Sequence, residues 1–159
     1  MDTPLHKASE NGHTHAIQLL IEASADINKK DNRGWTPLHR ASWEGHVDAI
    51  QLLIVAGADV NEKSNSGYDP LNCAIFHNHI NAMQILIDAG TNINKKDNMG
   101  WTHLHWASHD GHTDVMQLLI SAGADINEMS IGELTPLQRA LFKGHIDAVQ
   151  LLESYGAHE

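Results

Sequence analysis

A chain of 159 residues, 42% of them apolar, can bury one ordinary interior, and its formal charge of -10 disfavours nucleic acid, whose phosphates attract a surplus of Lys and Arg. No apolar run approaches the roughly 18 residues of a membrane span, and the start MDTPLHKASE has no basic stretch leading into an apolar one. Neither membrane anchor nor export signal is expected, and with one cysteine, Cys73, nothing asks for an oxidising compartment, so the expected location is cytoplasmic.

The first predicted helix opens on Thr3-Pro4-Leu5-His6, and the pattern returns every 33 positions. It recurs as Thr36-Pro37-Leu38-His39, Asp69-Pro70-Leu71-Asn72, Thr102-His103-Leu104-His105 and Thr135-Pro136-Leu137-Gln138, each with alanine two places on. Such a period marks supersecondary units that bury their apolar faces by stacking on neighbours. The boundaries fall at about 1–30, 31–63, 64–96, 97–129 and 130–159, read as a single domain over 1–159.

The second unit shows the local logic. Asn32-Arg33-Gly34 is turn-forming, Thr36 offers its hydroxyl as N-cap, and Pro37 sits at the first helical position, where its missing N–H costs nothing. A helix is predicted over Pro37 to about Glu44, ended by Gly45 in the left-handed conformation. A second follows from about Val47 to Ala56, with Val47, Ile50, Leu53 and Ile54 at helical spacing. Neither reaches the roughly 12 to 15 residues at which an isolated helix becomes marginal, so neighbouring units must supply the stability.

The string T-P-L-H…A-S…G-H…L-L-I…G-A-D-I-N resembles the ankyrin repeat, in five copies over essentially the whole chain. The resemblance implies an all-α solenoid of helix-turn-helix units with protruding hairpins and a concave binding face of hairpin tips and first helices. It also implies protein recognition without catalysis. Several copies depart from the pattern. The first almost lacks a hairpin and has Ser24 at the slot of Gly57, Gly90 and Gly123, which reads as a cap or as the cut end of a longer array. Asn78 takes a glycine slot, His103 replaces the helix-starting proline, and Gly132-Glu133 displaces the turn glycine, predicting a less regular last hairpin. Glu153 stands where Ile21, Ile54, Ile87 and Ile120 stand, as a polar outer face would require.

Positions that vary between copies are where function is expected. The slot after the turn glycine holds Trp35, Tyr68, Trp101 and Leu134; the slot two residues before the glycine that ends the first helix holds Glu10, Trp43, Phe76, His109 and Phe142. By the resemblance both point into the concave groove, aligning aromatic anchors of the kind that dominate interface energetics. Arg33, Glu44, His77, Asp110 and Lys143 are the expected polar rim. The competing reading is that hairpin tryptophans pack on neighbouring hairpins and only stiffen the array.

Histidines raise a metal hypothesis that distance removes. His13, His46, His79, His112 and His145 recur once per unit, roughly 8 to 10 Å apart by helix packing, too far to share a zinc whose nitrogens lie within about 4 Å of each other. A structural role at the turn between helices is implied by the resemblance, and His6, His39 and His105 are expected to bond backbone groups between repeats. His105 and His109 at i and i+4, with His77, form the one cluster worth checking. No metal or other cofactor is expected. Asp48, Asp114 and Asp147 suit helix starts, and no phosphate loop or nucleophile elbow is present. Cys73 shares its slot with Lys7, Arg40, Trp106 and Arg139, which reads as partly exposed. No enzymatic activity is expected.

The leading expectation is a monomer that binds a protein or peptide partner, with no nucleic acid and no membrane. Lys7, Thr14 and Glu153 are the polar terminal residues behind the monomer reading. Two alternatives stand beside it. Hairpin aromatics flanked by Lys29, Lys30, Lys63, Lys95 and Lys96 could bind a nucleotide, or Asn28, Asn61, Asn94 and Asn127 could be substrates of an asparaginyl hydroxylase. With 13 histidines, full protonation would carry the formal charge from -10 to +3, so charge-dependent behaviour is expected to change near pH 6.

Overall fold

The computed structural model describes residues 1–158. Among them ten α-helices and no strands occur: α1 (Pro4–Glu10), α2 (Thr14–Glu22), α3 (Pro37–Glu44), α4 (Val47–Val55), α5 (Pro70–Phe76), α6 (Ile80–Asp88), α7 (His103–Asp110), α8 (Thr113–Ser121), α9 (Pro136–Lys143) and α10 (Ile146–Ser154). The chain divides into two compact units, Met1–Thr91 and Asn92–Glu159. In the first, α1, α3 and α5 stack in one layer and α2, α4 and α6 in another; in the second, α7 stacks on α9 and α8 on α10. None of the described helices is long and apolar enough to cross a membrane.

The first helix of each copy begins as its sequence dictates. The side-chain oxygens of Thr3, Thr36, Asp69 and Thr135 accept the N–H of the residue three places on, and those residues, His6, His39, Asn72 and Gln138, bond back to the cap N–H. His103 in the proline slot leaves α7 intact: its ring is buried and its Nδ1 lies 2.9 Å from the Ile93 carbonyl, while Thr102 N–H donates to His105 Nδ1 at 3.1 Å. Such reciprocal caps contribute about 0.5–2 kcal/mol each.

The last turn of α3 shows why stacking and glycine are linked. Gly45 takes φ 73°, and a Cβ there would stand 2.6 Å from the His79 ring of the next copy. Gly12 and Gly111 meet His46 and His145 in the same way, whereas nothing lies within 4 Å of the Cβ position of Gly144. The same histidines donate Nε2–H to the preceding copy: His46 to the Glu10 carbonyl at 3.0 Å, His79 to Trp43 at 3.0 Å and His145 to His109 at 2.9 Å. At each of these three junctions one imidazole thus satisfies a carbonyl near the end of the neighbouring first helix, a group that otherwise lacks an intrahelical partner.

Between the layers lie fully buried aliphatic side chains: Ile17, Leu38, Ile50, Leu53, Leu71, Ile75, Met83 and Leu86 in the first unit, Leu104, Met116 and Leu119 in the second. Two sequence expectations are corrected. Cys73 is wholly buried, not partly exposed, and burial pushes its thiol pKa upward, away from the reactive thiolate. The last hairpin keeps the pattern of the others: Ser130 and Leu134 close it as Asp31 and Trp35 close the first, with Glu133 at φ 56° in place of the turn glycine. The backbone bonds of the turn outweigh the strain of about 1–2 kcal/mol that a non-glycine residue carries there.

Candidate interaction face

Each hairpin is closed by a side chain at its first position. Asp31 Oδ1 accepts the N–H groups of Arg33 at 2.7 Å and Trp35 at 2.9 Å, and Asp97 Oδ1 accepts those of Met99 and Trp101 at 2.8 and 2.9 Å. Ser64 does the same for Tyr68, and Ser130 for Leu134. The second carboxylate oxygen then reaches the first helix: Asp31 to Arg40 at 2.7 Å, Asp97 to the Trp106 Nε1–H at 2.9 Å. Burial pushes the Asp31 carboxyl upward, but the Trp35 N–H, the Arg40 guanidinium and the Arg33 N–H together hold it below its ordinary value. These clamps fix the aromatic that follows each turn, and neither Asp31 nor Asp97 stood out in the sequence. The signal was their spacing of nine residues from Arg40 and Trp106.

In the first unit the aromatic slots converge. Trp35 and Trp43 have ring centroids 5.2 Å apart, Trp43 and Phe76 6.2 Å, Tyr68 and Phe76 5.1 Å, and His77 stands 4.2 Å from Trp43. The rings interleave between hairpin and helix, so the spacing is shorter than that of the helices themselves. Trp35, Trp43, Tyr68 and Phe76 are half-buried, while Arg33, Glu44 and His77 are exposed beside them. Arg40 lies 5.2 Å over the Trp35 ring and pairs with Asp2 at 3.2 Å and Glu10 at 3.4 Å, closing one side of the cluster. A cleft of about 400 Å³ opens there, lined by Met1, Asp2, Asp31, Asn32, Arg33 and Arg40.

The second unit disposes the same slots differently. Trp101 is only 9% exposed, with Trp106 at 4.4 Å, His109 at 5.4 Å and the Arg139 guanidinium 4.1 Å over its ring. His109 and Asp110 engage each other at 2.7 Å. Phe142 is 83% exposed, next to the exposed Lys143.

The cap histidines link consecutive copies. His6 Nε2 donates to the Trp35 carbonyl at 2.9 Å, His39 to Tyr68 at 3.0 Å and His105 to Leu134 at 2.9 Å. Their Nδ1 atoms serve the cap threonines, so both nitrogens of His105 are occupied and it is unsuited to a metal. Burial drives the His39 pKa down to about 4 against a weaker upward pull from the Tyr68 carbonyl, and burial lowers that of His105. His39 therefore takes no part in a charge change near pH 6.

Residues behind the two alternative readings also have structural partners. Lys30 reaches Glu62 at 2.7 Å and the Lys63 carbonyl at 2.9 Å, and Lys96 reaches Glu128 and the Met129 carbonyl at the same distances. Asn28 bridges hairpins, donating to the Gly57 carbonyl at 3.1 Å and accepting the Asp59 N–H at 2.9 Å. Asn61 donates to Gly90 at 3.3 Å and Asn94 to Gly123 at 3.1 Å.

Comparison with known proteins agrees with this architecture. A family model described as ankyrin repeats (3 copies) matches residues 1–64, 48–130 and 96–158. An ankyrin repeat protein of Rickettsia bellii is 47% identical over 36 residues, which are 23% of this chain and 15% of that relative's length. Ankyrin repeats are in general protein–protein interaction modules. With helix pairs that stack within each unit through a cap histidine and a turn histidine, and with the family model matching residues 1–64, 48–130 and 96–158, the chain belongs to the ankyrin repeat family.

Proposed function

We propose that the protein binds a partner protein or peptide through the hairpin and first-helix face of its first unit. Trp35, Trp43, Tyr68 and Phe76 serve as anchors, and Arg33, Glu44 and His77 as the rim. The observation that carries this reading is the contiguous, half-buried aromatic cluster, in which Trp43 and Phe76 occupy a first-helix slot that other copies fill with Glu10 and His109. Folding tolerates a polar or charged side chain in that slot, so the Trp43 and Phe76 rings are surplus to the fold. A large aromatic can bury roughly 150 to 250 Å², and four engaged rings supply much of the roughly 800 Å² per partner of a standard interface. In the second unit Phe142, with Lys143, is the most available aromatic, whereas Trp101, His109 and Asp110 support the scaffold beside it. The formal charge of -10 favours a neutral or basic partner.

The double substitution Trp43→Ala and Phe76→Ala tests this. Capture of a partner from the source organism's lysate should fall by about two orders of magnitude, as for paired hot spots, while helicity is retained. Loss of helicity would reassign both rings to the scaffold.

A further inference from the structure

The second helices carry a feature that neither folding nor the aromatic face accounts for. All ten Lys and Arg residues lie in hairpins and first helices, so α2, α4 and α6 hold the carboxylates Glu22, Asp48 and Asp88 with no cation among them. In the last position of these helices stand Glu22, Val55 and Asp88, and the later copies have Ser121 and Ser154 there. Val55 is the one apolar residue of that slot, and it is 88% exposed. Beside it a cleft of about 340 Å³ runs between α2 and α4, lined by Thr14, Gln18, Asp48, Gln51, Leu52 and Val55. Because α4 packs between α2 and α6, the apolar site has a carboxylate in the matching slot of the helix on either side.

We propose that this outer face of the first unit docks a basic amphipathic helix of a partner protein, separately from the aromatic face. An aliphatic side chain of that helix enters the cleft against Val55 and Leu52, and its cations meet Glu22 and Asp88. Charge complementarity selects this occupant: α2, α4 and α6 offer carboxylates without a competing Lys or Arg, so an acidic or phosphate-bearing partner is repelled. The spacing constrains it further. Packed helices lie about 8–10 Å apart, which a crossing helix of 1.5 Å rise covers in about six or seven residues. The fitting ligand therefore carries an aliphatic residue with Lys or Arg about seven residues to either side on the same face.

A synthetic helix of about 22 residues with that pattern is the probe, titrated into the isotope-labelled full chain. Amide shifts should concentrate at Asp48–Val55 and weaken with salt as exposed charge pairs are screened. Val55→Ser uses the residue that two other copies carry in this slot, so the fold is retained. It should weaken binding about tenfold, the effect of losing one buried aliphatic contact. A peptide of equal composition with its lysines moved to the opposite face should bind at least tenfold more weakly. Equal binding of the two peptides, an unchanged affinity for Val55→Ser, or shifts centred on Trp43 and Phe76 would each overturn the proposal.

Discussion

Trp35 and Trp101 occupy the same hairpin slot, follow the same aspartate clamp and have different environments. Trp101 lies beneath the Arg139 guanidinium at 4.1 Å and against Trp106 at 4.4 Å. Trp35 meets Arg40 at 5.2 Å, but that guanidinium is held by Asp31 at 2.7 Å and by Asp2 and Glu10, and the same slot in the next copy holds the short, buried Cys73. One variable position of the first helix thus decides whether the hairpin aromatic is sealed into the scaffold or left in an open cluster. The repeat specifies where a ring goes; its neighbour specifies what the ring does.

The strongest test of that contrast is Trp101→Ala, which should cost about 3–5 kcal/mol in urea unfolding, the range for emptying a buried tryptophan site. A cost below 1 kcal/mol would show that Trp101 is as open as the rings of the first unit.

His39 supplies the next largest effect. With a folded pKa of about 4 against an ordinary 6.5, the unfolded chain binds the extra proton between those values, so stability is full above pH 6.5 and declines as pH falls toward 4. The loss from this group is about 3 kcal/mol. His39→Gln keeps a residue able to cap, as Gln138 does in the last copy, and should remove that part of the pH slope in unfolding curves between pH 4 and 7.

Junction packing gives a smaller, paired effect. Gly45→Ala must displace the His79 ring as well as hold φ 73°, and should cost at least about 2 kcal/mol. Gly144→Ala, with open space around it, should cost only the backbone strain of about 1 kcal/mol. Thermal unfolding of the two variants would place Gly144 inside a junction if their losses were equal. Least affected should be Phe142→Ala: a ring 83% exposed should change stability by less than about 0.5 kcal/mol, leaving any loss of binding unconfounded.

Much of the scaffold was legible because its causes are local. Thr36 and Pro37 start α3 and Gly45 ends it through backbone preferences that need no distant partner. The sequence misleads at Gly132-Glu133 because the closing bonds of that turn come from the backbone and side chain of Ser130, as they do from Ser64 in the third copy, and they hold Glu133 at φ 56°. The sequence misleads at Cys73 because a long side chain in that slot, such as Lys7, reaches solvent from a position where the short thiol stays buried.

The sequence by itself determined the period, the helix boundaries, the caps and the two slots in which aromatics recur, since each follows from the spacing of residues or from steric and hydrogen-bonding preferences within a few residues. Only the tertiary structure decided which aromatics cluster, which are covered and what Val55 faces. Those outcomes depend on contacts between residues 5 to 38 positions apart, such as Trp101 with Trp106 and Asp2 with Arg40, and a one-dimensional period cannot rank them.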